Sequence, residues 1–378
     1  MALSRLHIKP NILTWAVERA GKNVMEYAEE NSKFHEWLNG KSDPTFNMAE
    51  NFAHKFYIPF GYLFLQEPPE EQMPIPFFRR QSIGSQNINV NDTVISLIDR
   101  QDWLSTYLKK NDFEKIDFVG LFDITNDINV IAKKIYEILN LPVNWAFEYR
   151  TVGDAINHLI QQMENRGIIT SFNSMVGNNS SRPIFVNECR GFCLVDDYAS
   201  FIFVNSKDAK SAQVFTLIHE FAHILLGYSS GIGDYDENIN NASEIERFCD
   251  KIATITLVPD ELFAEEWTKT PYRYDILSKK FKVSRFVLAR RAEEKGYISK
   301  ESLFQLLKKW DNEPLPEKTS KIQVDFNVLA VRRNSRTFLV HVCNALNNNQ
   351  LLFTDAYRML GLKGDTFDKV VKSKAFLR

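Results

Sequence analysis

The chain has 378 residues, of which 44% are hydrophobic and 25% charged, and its formal net charge is −2. That length can hold two or three domains, each with its own core, and the composition is that of an ordinary globular protein. The near-zero charge excludes a global electrostatic pull towards nucleic acid. No apolar run approaches the roughly 18 residues a membrane span needs, and the N-terminus lacks a signal-peptide pattern, so no membrane is expected and the cytoplasm is the expected location.

Residues 1–65 read as a compact helical unit, with helix-length pieces at Asn11–Ala20, Val24–Glu30, Ser32–Leu38 and Met48–Tyr57, punctuated by Gly21, Asn39-Gly40 and Pro44. Trp15, Trp37, Phe52, Phe56 and Leu63 are its candidate core anchors. The unit carries seven Lys/Arg and seven Asp/Glu, a balance that does not suit a phosphate-tracking surface. Gln66–Pro76, with Pro68, Pro69, Pro74 and Pro76, can continue neither a helix nor a central strand and reads as a stiff linker. Phe77–Arg80 is placed to dock that linker onto the next domain.

Helices are expected over Asp92–Lys109 and Asp127–Leu139. β-rich runs follow at Val143–Val152, Ile184–Val186, Phe192–Val195 and Phe201–Val204, enough for a small sheet, with a loop over Asn173–Arg182. The four cysteines are Cys189, Cys193, Cys249 and Cys343. The Cys189–Cys193 pair lies among strand formers, where that spacing does not converge on a metal, so buried reduced thiols are expected.

The segment Phe215–Gly227, FTLIHEFAHILLG, contains His219-Glu220-Phe221-Ala222-His223. On a helix, residues four apart share a face one turn apart, so the two imidazoles can converge on one ion. Glu220, directly after the first His, can then reach water at that ion as a general base. Composition alone would produce this pattern in roughly one such chain in a hundred. Leu217, Ile218, Phe221, Ala222, Ile224, Leu225 and Leu226 make the helix apolar nearly all round, and burying two His and a Glu there without partners would be costly. A Zn²⁺ ion resolves that cost.

A catalytic zinc takes three protein ligands. Asn241–Pro259, beyond a polar connection over Gly227–Asn241 that could rim a cleft, offers Glu244, Glu246 and Asp250. Glu246 and Asp250 are four apart and share a face with Ala253 and Leu257, whereas Glu244 lies about 200° around the helix from Glu246. Glu246 is therefore the third candidate ligand, and Asp250 the residue to accept the free N–H of a ligating His. Asp275–Lys308 reads as two helices broken near Gly296-Tyr297, with Arg285, Arg290 and Arg291 on the first as a solvated face, or alternatively as a contact for substrate or nucleic acid. Asp311–Lys321 is a second linker, and residues 322–378 form a small, mostly helical module.

At these residues the chain resembles the ImmA/IrrE metallopeptidases, which carry H-E-x-x-H followed by a helix of the form E-x-x-A-N-x-F-A-x-x-L-L-x-P. Glu246, Ala253, Leu257 and Pro259 match, while Cys249, Asp250, Ile252 and Thr256 depart from it. Arg190-Gly191-Phe192, Phe201–Asn205, Val283-Ser284-Arg285, Arg290-Arg291 and Tyr357–Lys363 are further matching pieces. Residues 1–65 resemble the helix-turn-helix often fused to such peptidases, in Trp37-x-x-Gly40, Pro44-Thr45 and Pro59-Phe60-Gly61. About four residues are missing between Ala28 and Trp37, about one turn at the start of the recognition helix, so at most weak DNA binding is expected.

The resemblance implies an α+β, mainly helical protein: a helix-turn-helix-like module (1–65), a linker (66–80), a zincin-like peptidase domain with a small sheet (81–310) and a C-terminal helical module (322–378). It implies a cytoplasmic zinc endopeptidase that cleaves a regulatory protein, such as a repressor or antitoxin. His219, His223 and Glu246 would be its metal ligands, Glu220 its base and Asp250 a supporting residue. The competing expectation is a regulatory binding protein of toxin–antitoxin or phage type with a structural or vestigial zinc. Against it stands Glu220, since a structural site needs no base there and favours four closed ligands.

Overall fold

The structure is a computed structural model that describes residues 5–69, 77–78, 88–232, 244–313 and 325–377. It is mainly helical with one small mixed sheet, an α+β fold. The described residues fall into two compact units, one within Met1–Pro74 and Gln81–Asp92 and the other within Ile75–Arg80 and Thr93–Arg378.

The first unit holds α1 (Pro10–Arg19), α2 (Val24–Glu30), α3 (Ser32–Leu38) and α4 (Phe46–Lys55), closed by a 3₁₀ turn at Phe60–Phe64. Pro10 starts α1, where its missing N–H costs nothing. The Asn23 side chain caps α2 by accepting from the Met25 and Glu26 amides, and Asn31 caps α3 by accepting from Phe34 N–H. Asn31 is the sole residue between α2 and α3, which is the physical form of the shortened turn. Phe52, Phe56 and Leu63 are buried as expected, whereas Trp15 and Trp37 are only partly covered and pack around the core formed by Ile12, Leu13, Phe34 and their neighbours. Phe34 and Phe52 stack with ring centroids 5.7 Å apart. Glu29 and Glu30 are exposed.

The other elements run β1 (Phe77–Phe78), α5 (Ile88–Lys110), α6 (Ile128–Ile138), α7 (Val152–Asn165), β2 (Ile169–Asn173), β3 (Gly191–Leu194), β4 (Phe201–Asn205), α8 (Lys210–Leu226), β5 (Ser230–Ile232) and α9 (Glu244–Leu257). They continue with α10 (Asp260–Lys269), α11 (Tyr274–Phe281), α12 (Arg285–Glu294), α13 (Lys300–Asp311), α14 (Phe326–Asn334), α15 (Arg336–Asn347), α16 (Phe353–Leu360), α17 (Asp365–Val371) and α18 (Lys374–Leu377). The sheet has the order β1-β5-β3-β4-β2. β3 is antiparallel to both β4 and β5, while β2 runs parallel to β4 and β1 parallel to β5. Phe77 and Phe78 thus pair with Gly231 and Ile232, so the end of the expected linker adds a short edge strand.

Several expectations are corrected here. Val143–Val152 is not a strand but a 3₁₀ turn at Trp145–Glu148 leading into α7. The reason is a capping box: Thr151 and Asp154 satisfy each other's amides at the start of α7, whose Ala155, Ile156, Leu159 and Met163 share one buried face. Ile184–Val186 is irregular, since Asn205 ties down this stretch by donating to the Ile184 carbonyl. β2 and β5 fall in stretches not read as strands. The region Asp275–Lys308 holds a further break at Lys282, which adopts a left-handed φ of 61°. Arg291 is not on a solvated face: its Nε donates to the Val258 carbonyl, and its guanidinium binds Glu294 and Asp260. The expected linker segments 70–76 and 314–321 lie outside the described residues, as do residues 233–243 of the connection before α9.

α8 packs on β3 and β4, on α7 and on α9, and every residue from Thr216 to Leu226 is buried. Each such aliphatic or Phe side chain contributes about 1.5–3 kcal/mol relative to exposure. The helix ends at Gly227, in the left-handed region at φ 78°, with Tyr228 N–H closing back on the His223 carbonyl. The Ile224 and Leu225 carbonyls are met by the Gly120 and Phe122 amides. On the other side, Gly191 lets β3 lie against α8. A Cβ there would stand 2.4 Å from Thr216 Cγ2 and 2.8 Å from the Phe203 carbonyl oxygen. Gly191→Ala is therefore expected to destabilise by about 1–3 kcal/mol, the range for overpacking a core. Urea denaturation checks this, and an unchanged midpoint would mean that β3 and α8 are not held at this spacing.

Candidate metal centre

α8 presents His219 and His223 one turn apart on the face that meets α9, where Glu246 sits in the first turn. All three side chains are buried. His219 Nε2 and His223 Nε2 are 3.1 Å apart, and Glu246 places Oε2 3.2 Å from the first and Oε1 3.1 Å from the second. Among the described residues this is the one group of three or more His, Cys, Asp or Glu side chains able to hold a metal ion. Glu244, by contrast, is exposed. α9 is held in this register by Tyr136 of α6, whose hydroxyl donates to the Thr256 carbonyl at 2.5 Å.

Asp250 is half-exposed, and its Oδ1 lies 2.8 Å from His219 Nδ1. The ring N–H of His219 then faces the carboxylate and Nε2 is left as the electron-pair donor. Burial works against the charged form of His219, but Asp250 and Glu246 outweigh it and raise the imidazole well above its ordinary value. His223 moves the other way, lowered chiefly by burial. Burial also works against the Glu246 carboxylate, yet the two imidazoles hold it down at about 2. Glu220 is wholly enclosed, neither of its oxygens has a hydrogen-bond partner of ordinary geometry, and burial pushes its carboxyl up to about 8.

The donor set can be tested against the ion it would suit. Tetrahedral zinc with ligands at 2.0–2.1 Å requires ligand atoms about 3.3 Å from one another. The two imidazole nitrogens, 3.1 Å apart, lie close to that value, and Glu246 sets one carboxylate oxygen at a similar distance from each of them. Two imidazole nitrogens and a carboxylate, converging in a largely apolar core, are a donor set that a divalent ion such as zinc fits.

The structure therefore brings together His219, Glu220, His223, Glu246 and Asp250, every residue singled out in the sequence. It also places Gly191 and three of the cysteines near these residues. Gly191 would bring a Cβ within 3.4 Å of Glu220 Oε1. Cys249, on the turn after Glu246, is buried, and its thiol is pushed up by that burial and by Glu246 and Glu220. Cys189 and Cys193 are also buried and form no disulfide. Nearby, Arg190 directs its guanidinium to Asp208, with Nη1–Oδ2 3.4 Å, while the Tyr228 ring is exposed just beyond α8.

Comparison with known proteins agrees with this geometry. Residues 163–293, which carry both helices, match the family model described as IrrE N-terminal-like domain (Peptidase M78). Residues 334–373 match a domain of unknown function (DUF8813). No curated protein matches the chain. A solved structure titled Mycobacterium tuberculosis transcriptional regulator is similar at 11% identity, with a TM-score of 0.30 over 51% of this chain and 52% of that one. The chain spans about half the length of that protein, and the likeness is too slight to carry an argument. No described helix is long and apolar enough to cross a membrane.

The carboxyl of Glu220 gives a pH signature. Its folded value of about 8 lies above the ordinary 4.5, so between these values the folded state binds more protons than the unfolded one. Stability supplied by the protonated form is present below 4.5 and is lost as pH rises through about 8. In chelator-treated protein, Glu220→Gln is expected to flatten the fall in Tm over this window. A wild-type and a variant that lose Tm in parallel from pH 5 to 8 would show that Glu220 is already charged at neutral pH.

Proposed function

We propose that the protein is a zinc-dependent endopeptidase that cleaves a regulatory protein. The observation that carries this reading is the enclosed Glu220 one residue after His219, beside a buried His–His–Glu donor set with separations of 3.1–3.2 Å. His219, His223 and Glu246 would hold the ion, and Asp250 would fix the His219 ring through Nδ1. When bound, zinc supplies Lewis acidity, polarising a peptide carbonyl and making water a stronger acid. Glu220 accepts a proton from the attacking water at a carboxylate oxygen and passes it to the leaving amine. Its enclosed position keeps bulk water from competing for that proton.

The partner in this reading is a repressor, antitoxin or similar regulator, and the first unit serves protein docking or structure more than DNA reading. Its charges balance, and α2 and α3 are joined by a single residue. Base-edge contacts need a recognition helix whose N-terminal residues enter the major groove, with basic side chains on phosphates. Gel shifts with the full chain are expected to show only salt-sensitive binding in the nonspecific range of roughly 10⁻⁴–10⁻⁶ M. A defined operator bound at nanomolar affinity in physiological salt would make the protein a transcription factor carrying a protease.

Purified protein is expected to contain about one zinc per chain, to lose it in His219→Ala and His223→Ala, and to weaken it in Glu246→Ala but not Glu244→Ala. Asp250→Ala is expected to cost roughly 10–100-fold in affinity or activity. Glu220→Gln should keep the metal while substrate cleavage drops by orders of magnitude. Mass spectrometry of proteins held by the Glu220→Gln variant would identify the substrate. Retained cellular function in that variant would transfer the case to a non-proteolytic regulator.

A further inference from the structure

Away from the metal centre, a cavity of about 30 Å³ lies within the second unit where α5, β2, the loop after β2 and the C-terminal helices meet. Arg100 and Arg333 both line it, and no Asp or Glu does. Arg100 Nη1 donates to Asn334 Oδ1 at 3.2 Å, and Arg333 Nη1 to Asn178 Oδ1 at 2.7 Å. The Nε of Arg100 is enclosed and has no partner. Among the described residues neither guanidinium has a carboxylate at ion-pair distance, so neutral amides meet two positive charges. Burial lowers both groups, that of Arg100 to about 10.

Elsewhere the same chain treats a buried guanidinium differently, giving Arg291 both Asp260 and Glu294. Two guanidiniums facing one cavity without a counter-charge repel each other, and the enclosed Nε of Arg100 is left without a partner there, which is costly. Water can fill the space but cannot neutralise the charge. An anion shared by the pair does both, because the guanidinium fork matches the oxygens of phosphate-class ions. The side chains of Ser96, Ser171 and Asn173, which also line the cavity, add neutral polar groups without adding negative charge.

We propose that the cavity bounded by Arg100 and Arg333 binds a free inorganic oxyanion of the phosphate class. Its size suits a small tetrahedral ion and not a nucleotide. The site joins three parts of the second unit. Arg100 belongs to α5, Asn178 follows β2, and Arg333 and Asn334 end α14, where the match to the second family begins. Ser171 of β2 already donates to the Arg333 carbonyl at 2.8 Å, and Asn178 donates to the Gly361 carbonyl at 2.8 Å. The bound ion would strengthen the hold of the C-terminal helices on the sheet.

The test uses the full chain in phosphate-free buffer, with sodium chloride keeping ionic strength constant. Inorganic phosphate is expected to raise Tm and to titrate calorimetrically at one site per chain. Arg100→Gln and Arg333→Gln should each weaken that binding by tenfold or more, with the zinc content as the check on folding. Arg333 is half-buried, so its variant carries the test if Arg100→Gln fails to fold. Absence of any phosphate response in the wild type beyond the chloride control overturns the proposal, as does an equal response in the wild type and a folded Arg333→Gln variant. Glycerol 3-phosphate binding more tightly than inorganic phosphate would overturn the assignment to a free ion.

Discussion

Two imidazole nitrogens and a carboxylate meet within 3.1–3.2 Å of one another in a core otherwise made of aliphatic and aromatic side chains. Polar groups can be held there only if the helices that carry them stay in register, since a shift of one residue would rotate each donor by about 100°. Much of the second unit serves that constraint. α8 is fixed at its C-terminus by Gly227 and by the Gly120 and Phe122 amides. α9 is tied to α6 through Tyr136 and Thr256. β3 comes close enough to enclose Glu220 because Gly191 has no side chain. The cost of burying the donors and the precision of their placement thus have one origin: nothing at this depth can be satisfied by solvent.

The centre was legible in the sequence because its chemistry is local. His219 and His223 are one helical turn apart, and the same arithmetic separates Glu246, which faces them, from Glu244, which is exposed. Asp250 follows from the same spacing, one turn beyond Glu246. The helices of the first unit were equally readable, since Asn23, Asn31 and the glycines punctuate them. Its core was less so: Trp15 and Trp37 are the largest side chains, yet smaller Ile12 and Leu13 take the centre.

What escaped the sequence depends on partners distant along the chain. β2 is buried at all five positions because it lies between β4 and packed helices, so no alternation of polar and apolar residues marks it. β5 is three residues long and is a strand because β3 and β1 flank it. α7 is a different case. Its Thr151-x-x-Asp154 capping box and the spacing of Ala155, Ile156, Leu159 and Met163 were present in the sequence, but Val143 and Val152 suggested a strand instead. Arg291 was ambiguous in principle, since a basic run on a helix reads as solvated until Asp260, 31 residues away, is seen beside it.

The second unit buries charge by three routes, and comparing them explains why geometry is more informative here than composition. Arg291 is neutralised within the chain by Glu294, one turn on in α12, and by Asp260 of α10. Glu246 is stabilised by two imidazoles whose donor atoms converge in the way a divalent cation requires. Among the described residues, Arg100 and Arg333 meet amide oxygens and no carboxylate. A chain that supplies carboxylates to one buried guanidinium could have supplied them to another by a substitution of Asn334 or Asn178 to Asp, an exchange of nearly equal volume. Amides at those positions keep the geometry and leave the charge, which is the pattern expected where an external anion completes the site. The formal net charge of −2 averages over all of this. Local imbalance, positive at one cavity and donor-rich at the cluster of His219, His223 and Glu246, is invisible in that total.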